Sequence, residues 1–292
     1  MQAIGEDPEF PEAYIGLVET YFKLYQFGYI AKDSALTQAV QLIQKVNAID
    51  PESPALHNSR GLYYLYSQQP QLALEELSLA SRSDPEDYRP HYSKWLLFYL
   101  YHDLDQATRE LEIASKLNPL SGLIHSEYTI VSALKAGDIS VLDQYTLDNP
   151  DDIYLTWALG MRYAVEGDYE KALYHLTNRG VDTLKMNWMI GYAYAASGAS
   201  EKALRVAAYL EKKYQEQYLP PSIIGIIYAG LQDQQNKLKW MQEAHRVKDH
   251  WPAYVDIFKV YRQEQWYRDW FDLGSLDHPR DPWADEQLFE PL

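Results

Sequence analysis

Between residues 151 and 176 the apolar positions recur with the period of a helix, stop, and then resume. Leu159, Gly160 and Tyr163 share one stripe, Gly167 and Asp168 interrupt it, and Tyr169, Ala172 and Leu176 restore the spacing. A 3.6-residue period marks an amphipathic helix, and a Gly-Asp pair marks a break. The segment therefore predicts a helix, a tight turn and a second helix, and the pattern recurs along most of the chain. Such a hairpin cannot bury its apolar stripe alone, so copies must stack on one another. The expected fold class is all-α: a solenoid of antiparallel helix pairs.

The aromatic that closes each first helix sets the register: Tyr21, Tyr64, Phe98, Tyr163, Tyr194 and Tyr228, with Ser132 in the fourth copy. Their spacings are 43, 34, 34, 31, 31 and 34 residues. Gly61, Gly160, Gly191 and Gly225 lie three residues before the aromatic. Ala73, Ala107, Ala172 and Ala203 lie nine after it, and Ala39 takes that place in the first copy. Small residues let two helices approach closely, and the aromatic fills the space between neighbours. This pattern resembles the tetratricopeptide repeat over residues 9–244. The resemblance implies a right-handed superhelix of about seven repeats with a terminal helix. Departures are local: Val18, Trp95 and Thr129 replace the Gly, and Leu142 and Lys237 replace the Ala. The fourth copy, 122–149, is the weakest and is the expected place for a change in curvature.

Asx-Pro pairs punctuate the array at Asp50-Pro51, Asp84-Pro85, Asn118-Pro119 and Asn149-Pro150, because Asx tolerates unusual backbone angles and Pro cannot continue a helix. Asp7-Pro8 matches them, so residues 1–8 read as the end of a preceding repeat and the array spans residues 1–271. The 43-residue spacing marks an insertion of 9 residues within KLYQFGYIAKDS, with Gly28 as a breaker and Asp33 or Ser34 as the N-cap. Tyr25, Phe27 and Tyr29 make it apolar for a loop, so it reads either as a cap over the open end of the array or as a lid over a ligand. Residues 251–271 read as one more helical segment. Residues 272–292, with three Pro, one Arg and six carboxylates, read as an acidic irregular tail. Tyr218, Pro220, Pro221, Tyr228, Ala229, Leu231, Trp240 and Ala244 resemble the last full repeat of the tetratricopeptide regions that follow winged-helix, nucleotide-cyclase or kinase domains in bacterial signalling proteins. That resemblance implies a sensor or interaction module with its output domain upstream.

Charge and composition narrow the chemistry. A formal net charge of -16 disfavours nucleic acid and anionic membrane surfaces as partners. The absence of Cys excludes disulfides and thiolate metal sites, and fits cytoplasm and periplasm equally. The longest nearly apolar run, 223–231, is far shorter than the roughly 20 residues of a membrane helix. His57, His91 and His125 recur every 34 residues. Equivalent positions in stacked repeats stand about 10 Å apart, too far to share a zinc whose ligand nitrogens sit near 2 Å. These His residues are therefore expected to be structural, with no metal. Glu75, Glu76, Glu110 and Glu112 read as solvated charge on second helices. No phosphate loop, nucleophile elbow or paired-His motif is present, so neither cofactor nor catalysis is expected.

A second stripe on the first helices, about 100° from the packing stripe, lines the inner groove in the family resembled. It holds Asn58, Tyr92 and Tyr99, then Trp157 and Met161, then Trp188 and Tyr192. Tetratricopeptide domains that clamp a C-terminal carboxylate carry Lys, Arg and Asn on this stripe; here only Asn58, Arg89 and Lys185, in separate repeats, resemble that set. The expectation is an apolar, aromatic groove for a protein or peptide segment with apolar side chains. A small-ligand sensor and a self-associating module remain alternatives.

Overall fold

The computed structural model describes residues 2–26, 28–67, 69–101, 103–136, 138, 140–148, 152–177, 184–247 and 249. Every regular element among them is an α-helix. The chain forms two compact units, one ending at Val131 and the other beginning at Ser132.

In the first unit a short α1 (Gln2–Glu6) precedes three hairpins. These are α2 (Pro11–Gln26) with α3 (Lys32–Ile49), α4 (Pro54–Tyr66) with α5 (Pro70–Ser83), and α6 (Tyr88–Leu100) with α7 (Leu104–Leu117). The first helices also stack in sequence, α2 on α4 and α4 on α6, while α3 reaches α4 and α5 reaches α6. The unit boundary falls inside α8 (Gly122–Ala136), in the copy whose pattern is weakest. The second unit holds α9 (Ser140–Asp148) and three further hairpins. They are α10 (Ile153–Glu166) with α11 (Tyr169–Thr177), α12 (Leu184–Ala196) with α13 (Ser200–Glu216), and α14 (Ser222–Gly230) with α15 (Gln234–Arg246). The segment 251–271 and the tail 272–292 lie outside the described residues, as does the Asn149-Pro150 pair.

The register residues hold the helices of each hairpin together. A methyl group on Gly61 would sit 2.5 Å from Leu77 Cγ and Cδ2, and one on Gly160 would sit 2.7 Å from Leu176 Cγ. Ala73, Ala107, Ala172 and Ala203 are fully buried. The closing aromatics reach backward: Tyr163 donates to Asp143 on α9 at 2.5 Å, and Tyr228 donates to Glu211 on α13 at 3.0 Å. Each ring thereby ties its repeat to the one before.

The Asx-Pro pairs at Asp50, Asp84 and Asn118 end helices. These Asx residues sit at φ −142, −135 and −129, outside the helical region. Proline drives the residue before it out of the helical region, which accounts for those angles. Their N–H groups still bond back to Val46, Ala80 and Ala114.

The insertion lengthens helices rather than forming a loop. α2 has 16 residues and α3 has 18, against 13 and 14 in the next hairpin. Gly28, at φ 69, turns the chain, and Ala31 precedes α3 without a side-chain cap, so neither Asp33 nor Ser34 is the N-cap. Tyr25 is buried with its ring edge-on to Tyr66 at 5.3 Å, which makes it core rather than lid. Tyr29 is exposed, and Phe27 lies outside the described residues.

The His ladder is structural in a specific way. His57 Nδ1 lies 2.6 Å from Glu76, and His91 Nδ1 lies 2.6 Å from Glu110, each pair joining the two helices of one hairpin. Glu76 and Glu110 are thus not the solvated charges expected: both are largely buried, and Lys94 adds a 3.1 Å contact to Glu110. The equivalent place in the next copy is Gln144, and there His125 turns to the Pro119 carbonyl instead. Burial by itself would raise the Glu110 carboxyl. Hydrogen bonds from His91 and Lys94, with the Lys94 charge, outweigh it and hold the group below its ordinary 4.5.

Two outcomes follow for stability. Gly61→Ala gains up to about 1 kcal/mol of helix propensity but forces Leu77 and the backbone apart, for an expected net loss of about 1–2 kcal/mol. Adding Leu77→Ala should give a double mutant less damaged than the sum of the singles, as thermal unfolding would show; strict additivity would deny the contact. For Glu110, whose folded pKa is depressed, the contribution is complete above pH 4.5 and disappears as pH falls through the folded value. Denaturant titrations from neutral pH into acid should show wild type losing more stability below 4.5 than Glu110→Gln, which begins less stable at neutral pH.

Candidate functional site

The stripe expected to line a groove splits into two environments. In the second unit, Trp188 is fully buried and Tyr192 is 5% exposed. They are core residues, and for Tyr192 the reason is the approach of the next first helix. A methyl on Gly230 of α14 would stand 2.9 Å from the Ala195 methyl and 3.2 Å from the Tyr192 ring. A helix packed that closely on α12 covers the Tyr192 ring. Trp157 and Met161 are half-buried, and the Trp157 indole N–H is buried without a hydrogen-bond partner.

In the first unit the same stripe opens into a pocket of about 140 Å³ between α2, α4, α6 and the start of α8. Its apolar wall includes Phe22, Leu62, Tyr66, Tyr92 and Leu96. Tyr99 is half-buried beside Trp95, with ring centroids 6.1 Å apart, and is not among the lining residues.

The polar groups of the pocket converge from three helices. Asn58 is buried on α4 and accepts a hydrogen bond from the Ser93 hydroxyl of α6 at 3.0 Å. Arg89, in the first turn of α6, is held by the helix's own N-cap. Asp87 accepts from the Arg89 backbone N–H at 2.9 Å, and both its oxygens lie 2.9 Å from Arg89 Nε. Asn58 and Arg89 therefore meet in one pocket despite lying in separate repeats. Lys185 of α12 belongs to the other unit, and its side chain lies outside the described residues.

The residue the expectation missed is Glu19 on α2. It stands two places before Tyr21, the position of Leu62, Leu96, Met161 and Tyr192 in other copies, so carrying the stripe back into the first repeat would have found it. Glu19 Oε1 is buried with no hydrogen-bond partner, and Arg89 Nη1 approaches it only to 3.7 Å. Burial pushes its carboxyl pKa up, against the lowering by Arg89 and Lys23. A pocket with a carboxylate in that position is poorly suited to a carboxylate-ended peptide.

No helix among the described residues is long and apolar enough to cross a membrane. No family model matches the sequence, and no curated protein matches it. Solved structures do resemble it. Cut9–Hcn1, the hetero-tetramer of the APC/C, aligns at TM-score 0.58 and 16% identity over 88% of this chain and 50% of that one. This chain thus spans half the length of that relative. The Pseudomonas aeruginosa pilF structure aligns at 0.49 and 17% identity, covering 82% and 99%; PilW, a type IV pilus biogenesis factor, aligns at 0.48 and 14%, covering 71% and 97%. At these identities the likeness is one of fold, carried by the first of the three. Taken with the 34-residue hairpins and their buried Gly and Ala contacts, it shows that this chain has the fold of a tetratricopeptide-repeat protein.

Proposed function

We propose that the chain is a non-enzymatic scaffold that grips an extended segment of a partner protein in the groove of its first unit. The observation that carries this reading is the pocket itself. Its walls come from consecutive first helices, and Tyr92 and Leu62 are left half-buried while the matching Trp188 and Tyr192 are sealed in a core. Half-buried aromatic surface beside fixed polar groups suits a peptide that buries apolar side chains and hydrogen-bonds its backbone. Asn58 and Ser93, already bonded to one another, are placed to orient such a backbone. The setting in a larger bacterial signalling or transcription-regulating protein rests on the resemblance of the last repeat.

The test separates groove from core. Tyr92→Ala should leave the helical content intact by circular dichroism and weaken capture of the partner about tenfold or more, the scale of an aromatic anchor. Trp188→Ala should instead lower unfolding free energy by about 3–5 kcal/mol. Unchanged binding by a folded Tyr92→Ala, in peptide titrations or pull-down, would move the interaction elsewhere. Saturable binding of one metabolite at the same pocket would favour the small-ligand reading.

A further inference from the structure

We infer that the first-unit pocket accepts a basic side chain of the bound segment, a lysine ammonium or an arginine guanidinium, with Glu19 as its acceptor. The inference rests on the peptide-binding reading of the groove and specifies what that groove selects.

Glu19 is the odd member of an otherwise apolar column, since the equivalent positions are Leu62, Leu96, Met161 and Tyr192. A carboxylate in such a place costs free energy unless it is paired and hydrogen-bonded. Its side chain is 26% exposed, and its one ion pair among the described residues, with Arg89, is long. Its Oε1 is buried without a hydrogen bond, and the Arg89 guanidinium stops 3.7 Å short because Asp87 holds it by Nε and Nη2 at 2.8–2.9 Å. The other nearby cation, Lys23, is exposed, where water and salt screen it. Even with both cations present, the Glu19 carboxyl stays raised by burial, so the local positive charge does not compensate it.

An incoming cation with several N–H donors satisfies this group, and the half-buried rings of Tyr88 and Tyr92 in the same pocket offer aromatic surface beside it. The net charge of -16 draws a basic segment toward the chain before contact. A segment presenting a carboxylate here meets Glu19 and an arginine already neutralised by Asp87.

Short peptides displayed on phage and selected against the full chain test this directly. The selected peptides are synthesised and titrated by fluorescence anisotropy against wild type, Glu19→Gln and Tyr92→Ala. The expected result is an Arg or Lys in the selected peptides whose replacement by Gln weakens wild-type binding about tenfold or more. Glu19→Gln should lose the same factor and be indifferent to that replacement. Peptides that depend on Tyr92 but lack a basic residue, or bind Glu19→Gln equally well, overturn the inference and leave the groove reading standing. Recovery of no peptide sensitive to Tyr92→Ala removes the groove reading and the inference together. The peptide-side replacement is measured on wild type, so the outcome does not depend on the Glu19 variant folding.

Discussion

The close approach of two helices at a glycine governs the hairpins that carry one. Where Gly61 faces Leu77 and Gly160 faces Leu176, there is no room for a single methyl group, so the two helices can cross at only one height. Fixing that height fixes the register of everything along the same two helices. It places His57 against Glu76 at 2.6 Å; 34 residues on, His91 meets Glu110 at the same distance although Trp95 stands there in place of the Gly. It also sets where the first helices present their second stripe, and hence where a pocket can open.

Repetition explains the scaffold, and departures from it explain the chemistry. His125 lacks its carboxylate because Gln144 stands in that place, and the ring turns to a backbone carbonyl. Glu19 breaks an apolar column in the opposite sense, placing a charge where other copies have hydrocarbon or an aromatic ring. Both are single substitutions within a repeated frame. The first leaves a structural contact slightly rewired, whereas the second leaves a buried oxygen without a donor. The difference lies in what surrounds them: a backbone carbonyl lies within reach of the imidazole, while the neighbouring arginine of Glu19 is already engaged by Asp87.

The same stripe yields a pocket in the first unit and, at Trp188 and Tyr192 of the second, solid core, and at Tyr192 the cause is again steric. Gly230 lets α14 close on Tyr192 and Ala195 to within van der Waals contact. In the first unit the side chains between α2, α4 and α6, among them Tyr66, Tyr92 and Asn58, line the space without filling it. Equivalent positions in a repeat array therefore do not imply equivalent exposure.

The sequence by itself determined the helix pairs, their 34-residue register, the small residues at the crossings and the helix ends at Asx-Pro. Each of these follows from local periodicity or from contacts inside one hairpin, which repeat with the chain. Only the tertiary structure decided that Glu76 and Glu110 are partners of His rather than solvated charges. The same holds for Tyr25 and Trp188 as core, and for Asn58, Arg89 and Glu19 as neighbours in one pocket. Those outcomes depend on how far neighbouring helices approach within and across repeats, and that distance is set by the summed bulk of side chains on both faces. Periodicity reports which face a residue occupies; it carries no measure of what stands opposite.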